Sequence, residues 1–391
     1  MKNTINKYSL LSILHAFVLL IATYIVWNIP DDWTNGGSLL QDTHLARSLS
    51  AKVDSLPDDL ILINTCYDHS MIPVYDEIGI ECGELDVTDR GKLVRLLNYL
   101  LSENNYRYIV CDISFDKELE SPYDSVLYDL LSKLPRCCIP RSSDGSQLNE
   151  SIIQKSAISE YYTNINNNNF LKYQYLSSHG ESMALKMAKE MNGISISKYG
   201  PFYFEGHKLC INSHILDIKT NVNSEYRENQ EKNILQLGTD VLPLLESDVK
   251  GLFEDKIVMI GDCFRDDIHT TVAGPTSGMM IIYNAYHAIC DGSNIPSIWI
   301  WVVLFFAYYL LTLFVIYDIK ARQFFLFKKL EELPLLSIAL EWVGFGLLFS
   351  LIGAASFFIS NTYIDAWICA SYFTLFERIV SYFRNIKKKN Q

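Results

Sequence analysis

Residues 253–290 read FEDKIVMIGDCFRDDIHTTVAGPTSGMMIIYNAYHAIC. Lys256 to Gly261 is a short apolar run closed by glycine, which has the length and composition of a buried strand. Residues 262–277 are rich in carboxylates and hydroxyls and predict a loop, and Gly278 to Cys290 predicts a helix. Shortly afterwards the chain enters Ile298 to Tyr317, which carries no charge. At 1.5 Å per residue that run is long enough to cross a hydrocarbon core of roughly 30 Å. The stretch therefore predicts a strand, a polar loop and a helix whose next neighbour in the chain is a membrane span.

Composition hides this arrangement. The 391 residues hold 33 Lys and Arg against 45 Asp and Glu, and the mean hydropathy is only slightly positive because a large polar segment dilutes the apolar runs. Read separately, Ser9 to Ile29 has one histidine and no formal charge, and Leu335 to Ile359 has only Glu341. The fourth run, Tyr363 to Phe383, contains Asp365, Glu377 and Arg378, so it reads either as a span or as a partly interfacial helix. The first run follows Lys2 and Lys7 but is longer than the core of a signal peptide, and Asn28-Ile29-Pro30-Asp31 lacks a small-x-small cleavage pattern. It predicts an uncleaved anchor.

The short basic segments set an expected orientation. Lys2 and Lys7, then Lys320, Arg322, Lys328 and Lys329, then Arg384 and Lys387 to Lys389 fall on one side of four spans. The expected organisation is a cytoplasmic N-terminus at 1–8, spans at 9–29, 298–318, 334–359 and 363–383, an outer domain at 30–297, a basic cytoplasmic loop at 319–333 and a basic tail at 384–391. Nearly all the acidic residues then lie in the outer domain, and nucleic acid is excluded as a partner because the basic footprint it needs is missing. Glu341 and Arg378 lie at similar expected depths from the cytoplasmic side, which predicts either a pair or snorkelling to the interface, with Glu377 as a substitute partner.

The outer domain parses by changes of period. Asp59 to Thr65 is a continuous apolar strand, Asp89 to Leu101 has one apolar helical face, and Tyr108 to Ile113 is the next buried strand. Strand, crossover helix and strand at this spacing form a βαβ unit, which favours parallel pairing and a right-handed crossover. Asp124 to Leu134 predicts a helix, Cys137 to Pro140 a short strand, the Ser- and Asn-rich stretch 142–176 a loop or insertion, and Glu181 to Met191 a helix stopped by Asn192-Gly193. The fold class is therefore an α/β extracytoplasmic domain with a mainly parallel sheet, inserted between one N-terminal and about three C-terminal transmembrane helices. Eight of the nine cysteines lie in this domain without metal-site spacing, and Cys66 with Cys82 is the pair to test for a bridge.

Candidate chemistry concentrates after the last strand. Asp262, Asp266, Asp267, His269, Thr270 and Thr271 lie between a strand end and a helix N-terminus, where α/β folds bind ligands, and Asp68 follows the first strand. These side chains either hold a small polar ligand or close the loop onto its own amides. Asp112, at the end of YIVCD, either points into a cleft or caps the next turn. No phosphate-binding GxxxxGK[ST] loop, HExxH or GxSxG is present, and no cofactor or metal site is expected.

The order of elements resembles a family. One span, an early strand, a strand ending in Asp112 and Phe115, the Ser182-Met183-Ala184-Leu185 helix, Asp240-Val241-Leu242, then Phe253 to Gly261 and Asp267-x-His269-x-Thr271 are similar to the type-2 CHASE domain. That name denotes extracytoplasmic sensory domains associated with cyclases and histidine kinases, with one span before and usually three after. The sequence departs from the pattern at Asp255-Lys256 and Val272, and 142–176 has no counterpart. Family members typically continue into a cytoplasmic effector, whereas this sequence stops soon after its last apolar position.

The resemblance implies a sensor in a bacterial inner membrane that passes its signal to a protein partner carrying the output function. The other expected partners are the lipid bilayer, a small ligand at the outer domain and a second copy of the chain. Two rival readings remain. One is a structural or assembly subunit of a cell-envelope complex. The other is a membrane phosphatase, because Gly261-Asp262 followed by Asp266-Asp267 is similar to the magnesium-binding segment of haloacid dehalogenase-like enzymes, although Asp112-Ile113-Ser114 lacks their second early carboxylate. Without a complete catalytic motif, no catalytic residue is expected.

Overall fold

The computed structural model describes residues 2–30, 56–76, 78–115, 121–141, 149–159, 169–222, 233–247, 251–271, 273–317 and 334–389. In chain order the helix α1 (Lys2–Trp27) is followed by β1 (Leu60–Asn64), β2 (His69–Tyr75), β3 (Glu81–Thr88), α2 (Arg90–Glu103), β4 (Tyr108–Cys111), α3 (Asp124–Lys133) and β5 (Cys137–Arg141). Next come β6 (Ser156–Ile158), β7 (Asn169–Phe170), β8 (Lys172–Gln174), α4 (Met183–Asn192), β9 (Ile196–Tyr199), β10 (Phe202–Glu205), β11 (Lys208–Cys210), β12 (Ser213–Ile215) and β13 (Ile234–Gln236). The chain ends with α5 (Leu242–Glu246), β14 (Ile257–Gly261), β15 (Ile268–Thr271), β16 (Gly274–Ser277), α6 (Gly278–Cys290), α7 (Ile298–Tyr317), α8 (Pro334–Ser360) and α9 (Ala366–Lys389). These elements divide into two units, one of residues 48–197 and 216–292, the other of residues 1–47, 198–215 and 293–391.

The first unit is built on a six-stranded sheet of order β13-β1-β14-β4-β5-β6. Its strands pair in parallel throughout, as the unbroken apolar strands require. Successive side chains point to opposite faces. Ile61, Ile63, Ile109, Cys111, Val258 and Ile260 join one core with the apolar faces of α2 and α3, including Leu93, Leu97, Leu127 and Leu131. Helices α4 and α6 pack on each other and also against β5 and β14 respectively. The predicted βαβ order is thus realised as a mainly parallel sheet.

The helix ends follow their sequence signals. Asp89 caps α2 by accepting the Lys92 amide, and Ser182 caps α4 by accepting the Leu185 amide at 3.3 Å. Gly193 closes α4 in the left-handed region at φ 72°, where a side chain would be strained. The stretch 142–176 is only partly a loop, because β6 extends the sheet by pairing with β5 and β7 pairs with β15. Strands of two or three residues bury too little to leave a periodic signature, which is why sequence pattern misses them. Cys66 and Cys82 are not joined by a disulfide, and the first is buried whereas the second is exposed.

The second unit gathers the apolar helices. Among the described residues three are long and apolar enough to cross a membrane, Tyr8–Trp27, Ile298–Tyr317 and Trp342–Ser360, with mean hydropathies of 2.2, 2.3 and 2.0. Helix α9 follows them, with the Asp365 carboxylate capping it by accepting the amides of Trp367 and Ile368 at 2.9 Å each. Arg384 on α9 donates to the last carbonyls of α7, Val315 at 3.1 Å and Ile316 at 2.9 Å, which satisfies acceptors that a helix end otherwise leaves open.

The antiparallel hairpin β10–β11 also belongs to this unit, whereas the sequence reading placed it within the outer α/β domain. Tyr24 of α1 explains the difference. Its hydroxyl accepts the Tyr203 amide at 2.8 Å and donates to the Cys210 carbonyl at 2.8 Å. The Asn28 side-chain oxygen accepts the Asn212 amide at 2.7 Å, and the Ile211 amide donates to the Asn294 carbonyl at 2.8 Å. A tyrosine inside an apolar run gives no warning of such contacts.

Two ion pairs of the first unit differ in burial. Arg90 and Asp124 join α2 to α3 with side chains 3% and 12% exposed, whereas Lys133 and Asp129 lie one helical turn apart with side chains 57% and 56% exposed. Removing one partner of a buried pair strands a desolvated charge, at a cost of about 3–5 kcal/mol, while an exposed pair contributes roughly 0.3–0.5 kcal/mol. Thermal unfolding of the full chain in detergent should therefore show a large loss of Tm for Asp124→Ala and a small one for Lys133→Ala.

Candidate functional site

The C-terminal ends of β1, β14 and β4 lie side by side, so the segments that leave them meet at one sheet edge. Backbone hydrogen bonds stitch this edge together. The Thr65 amide donates to Gly261 at 2.9 Å and the Asp112 amide donates to Ile260 at 2.7 Å. The Asn64 side-chain oxygen accepts the Cys263 amide at 3.0 Å, and its nitrogen donates to Gln236 at 2.7 Å. A Cβ on Gly261 would lie 3.1 Å from both the Asp112 carbonyl and the Met279 sulfur, so glycine there permits β4, β14 and α6 to close on one another.

Asp262 closes its own loop. One carboxylate oxygen accepts the amides of Phe264 at 2.7 Å and Arg265 at 2.8 Å, and the other accepts Asp266 at 2.7 Å. Three amide donors on one carboxylate form a local turn, which leaves fewer lone pairs for a metal ion. Among the described residues no group of three or more His, Cys, Asp or Glu side chains could hold a metal.

Asp267 and His269 come together, with the histidine Nε2 3.0 Å from the carboxylate Oδ1. The other oxygen of Asp267 lies against Gly278, the first residue of α6, where an added Cβ would collide with it. The Gly278 amide donates to the Asp267 carbonyl at 3.0 Å. Asp267 therefore brings negative charge to the positive end of the α6 dipole. Ser277, the N-cap of α6, is buried, and its hydroxyl has no hydrogen-bond partner among the described residues.

Asp112 completes the arrangement. Burial, and then the neighbouring negative charge of Asp267, push its carboxyl well above the usual carboxylate range. Asp112 is thus biased toward its protonated form, which can donate one hydrogen bond, and the neighbouring Asp267 side chain is 38% exposed. The sequence reading left Asp112 open between cleft and cap. Its neighbourhood with Asp267 depends on β4 pairing with β14, a non-local pairing that no local pattern reveals.

The remaining candidates are elsewhere. Asp68 is buried, accepts from Lys92 at 2.6 Å and from the Gly238 amide at 3.1 Å, and so ties the exit of β1 to α2 and to the turn of π-helix at Leu237–Val241. Thr271 donates to the Gly274 carbonyl at 2.7 Å and closes the β15–β16 turn, while Thr270 and Asp266 are exposed. His269, Thr270 and Thr271 are strand residues of the small sheet β16-β15-β7 rather than loop residues. Glu377 and Arg378 are consecutive on α9, and Glu341, the expected partner of Arg378, lies outside the described side chains.

The family model for the CHASE2 domain matches residues 74–317. No curated protein and no solved structure matches the chain.

The raised pKa of Asp112 has a definite sign in stability. The unfolded chain gives up this proton near the ordinary carboxylate pKa of about 3.9, whereas the folded protein keeps it to higher pH. In that interval the folded state binds more protons, so the group lowers stability as pH rises. Asp112→Asn keeps the shape without the titration. The variant should gain Tm relative to the parent as pH is raised from 4 to 8 and converge with it at the acid end.

Proposed function

The chain belongs to the CHASE2 domain family, a family of sensory domains, and we propose that it is a membrane-anchored sensor whose α/β unit takes up an external stimulus and passes it to a partner through its transmembrane helices. In this reading the protein sits in the inner membrane of a bacterial envelope, with both termini cytoplasmic and the α/β unit outside. The support is the distribution of Lys2 and Lys7, Lys320 to Lys329 and Arg384 to Lys389 on one side of four spans. The fourth of these is α9, whose Glu377 and Arg378 also suit an interfacial position.

The sensing edge is Asp112, Asp267 and His269 at the N-terminus of α6. A small polar ligand that accepts a hydrogen bond from Asp112 and offers a donor or a positive charge to Asp267 suits this pair. The edge is proposed as a binding site without a catalytic role. Asp262 and Thr271 shape it, and Asp68 holds the neighbouring loop.

Two chain connections support coupling. Segment 291–297 joins α6 to α7 directly, so a shift of α6 pulls on a span through a short tether. The second is the hairpin β10–β11, which follows α4 and β9 in the chain and is held on α1 by both bonds of the Tyr24 hydroxyl. That pair of hydrogen bonds is the observation that carries the coupling. The signal then leaves through the spans or the basic loop 319–333 to a protein partner.

Amide hydrogen exchange on the full chain in lipid nanodiscs tests this. Asp267→Asn, used as a stand-in for a stimulus, should change exchange in Phe202–Cys210 and at the start of α7 by about 5-fold or more, the lower end of useful coupling. Replacing 291–297 by a long Gly/Ser linker should abolish the change at α7. Identical exchange in parent and Asp267→Asn at both places would sink the mechanism.

A further inference from the structure

Among the described residues the hairpin β2–β3 forms a two-stranded sheet of its own. Its antiparallel register sorts the side chains onto two faces. Ile72 and Val74 share one face with Leu85 and Val87, and Ile72 there is buried. On the opposite face Met71, Pro73 and Tyr75 are all exposed. Their partners across the strands are Asp86, Glu84 and Glu81, which are exposed as well. An apolar column therefore runs beside an acidic column at the interstrand spacing of about 4.8 Å.

The tip continues the pattern. Ile78 and Ile80 are 79% and 60% exposed and flank a turn held by the Asp76 carboxylate, which accepts their amides at 3.0 and 2.8 Å. Residues 69–88 contain five acidic residues and no lysine or arginine. Sheet edges that need only protection from aggregation are usually blunted by charge, often lysine, or by proline, with few exposed aliphatic side chains. Here large apolar side chains are displayed beside a single sign of charge, which is the composition of a contact surface.

We propose that the exposed face of this arm docks a protein partner that carries a row of apolar side chains with lysine or arginine beside it, as a basic amphipathic helix does. The charge pattern selects the occupant. A second copy of the arm would set acids against acids, and anionic headgroups would be repelled by the same column. A basic apolar surface covers Met71, Pro73 and Tyr75 while pairing Asp86, Glu84 and Glu81. This docking does not depend on the edge around Asp267.

Benzoylphenylalanine placed at Tyr75 of the full chain, photolysed in native membranes, reads the occupant. The expected product is a cross-link to one protein at a segment with Lys or Arg beside apolar residues. The yield should fall at least about tenfold when Glu81→Lys and Glu84→Lys are combined, with Tm unchanged. In nanodiscs, a designed helical peptide of Lys and Leu should bind the parent at least about tenfold more tightly than that variant, and its Glu and Leu counterpart should not bind. Cross-linking to a second copy, to lipid alone or to nothing would overturn the proposal. So would a yield or a peptide affinity indifferent to the charge reversal.

Discussion

Strand β14 lies between β1 and β4 and hydrogen-bonds to both, although nearly two hundred residues of chain separate it from β1. All its side chains are buried. Without it, β1 and β4 would face each other across a gap with unpaired backbone groups, at a cost that no local structure could offset. The centre of the α/β unit therefore closes only when residues 257–261 are in place. The residues that leave this strand inherit its position, so Asp262 to Ser277 and then α6 begin at the middle of the sheet edge.

This constraint also explains what the sequence reveals. Continuous apolar runs such as Leu60–Asn64 and Ile257–Gly261 announce strands buried on both faces, and Asp89, Ser182 and Gly193 announce helix ends by chemistry that is local. The spans are legible because length and apolarity are also local properties. Sheet order is not local. The neighbourhood of Asp112 and Asp267 follows from β4 pairing with β14, and β13, with three half-buried residues, carries no pattern of its own. Tyr24 is hidden for another reason: its ring suits an apolar helix, and only its hydroxyl, bound to hairpin backbone, departs from that role.

The candidate site shows the same division. A carboxylate-rich segment between a strand and a helix was readable as a site, but its members serve different ends. Asp262 binds three amides of its own loop and Thr271 closes a turn, while Asp68, outside this segment at the exit of β1, is locked by Lys92 and Gly238. Asp267 differs from them because its charge meets another ionisable group on a neighbouring strand end. Its negative charge favours the proton on Asp112. Loop closure onto backbone groups is what Asp262 and Thr271 do, and the proposed binding role rests on Asp267.

The helical unit adds a constraint on how any displacement spreads. Ser9, His15 and Thr23 of α1 meet Tyr309, Thr312 and Tyr308 of α7 at 2.9, 2.8 and 2.8 Å. The second ring nitrogen of His15 reaches the Tyr372 hydroxyl of α9 at 2.5 Å. Within hydrocarbon these groups have no water to turn to, so sliding α1 along α7 would break bonds that nothing replaces. The two helices should then move as a pair. In the proposed mechanism a pull on α7 through 291–297 and a pull on α1 through the Tyr24 clamp would act on the same body, to which α9 is tied through Tyr372 and Arg384.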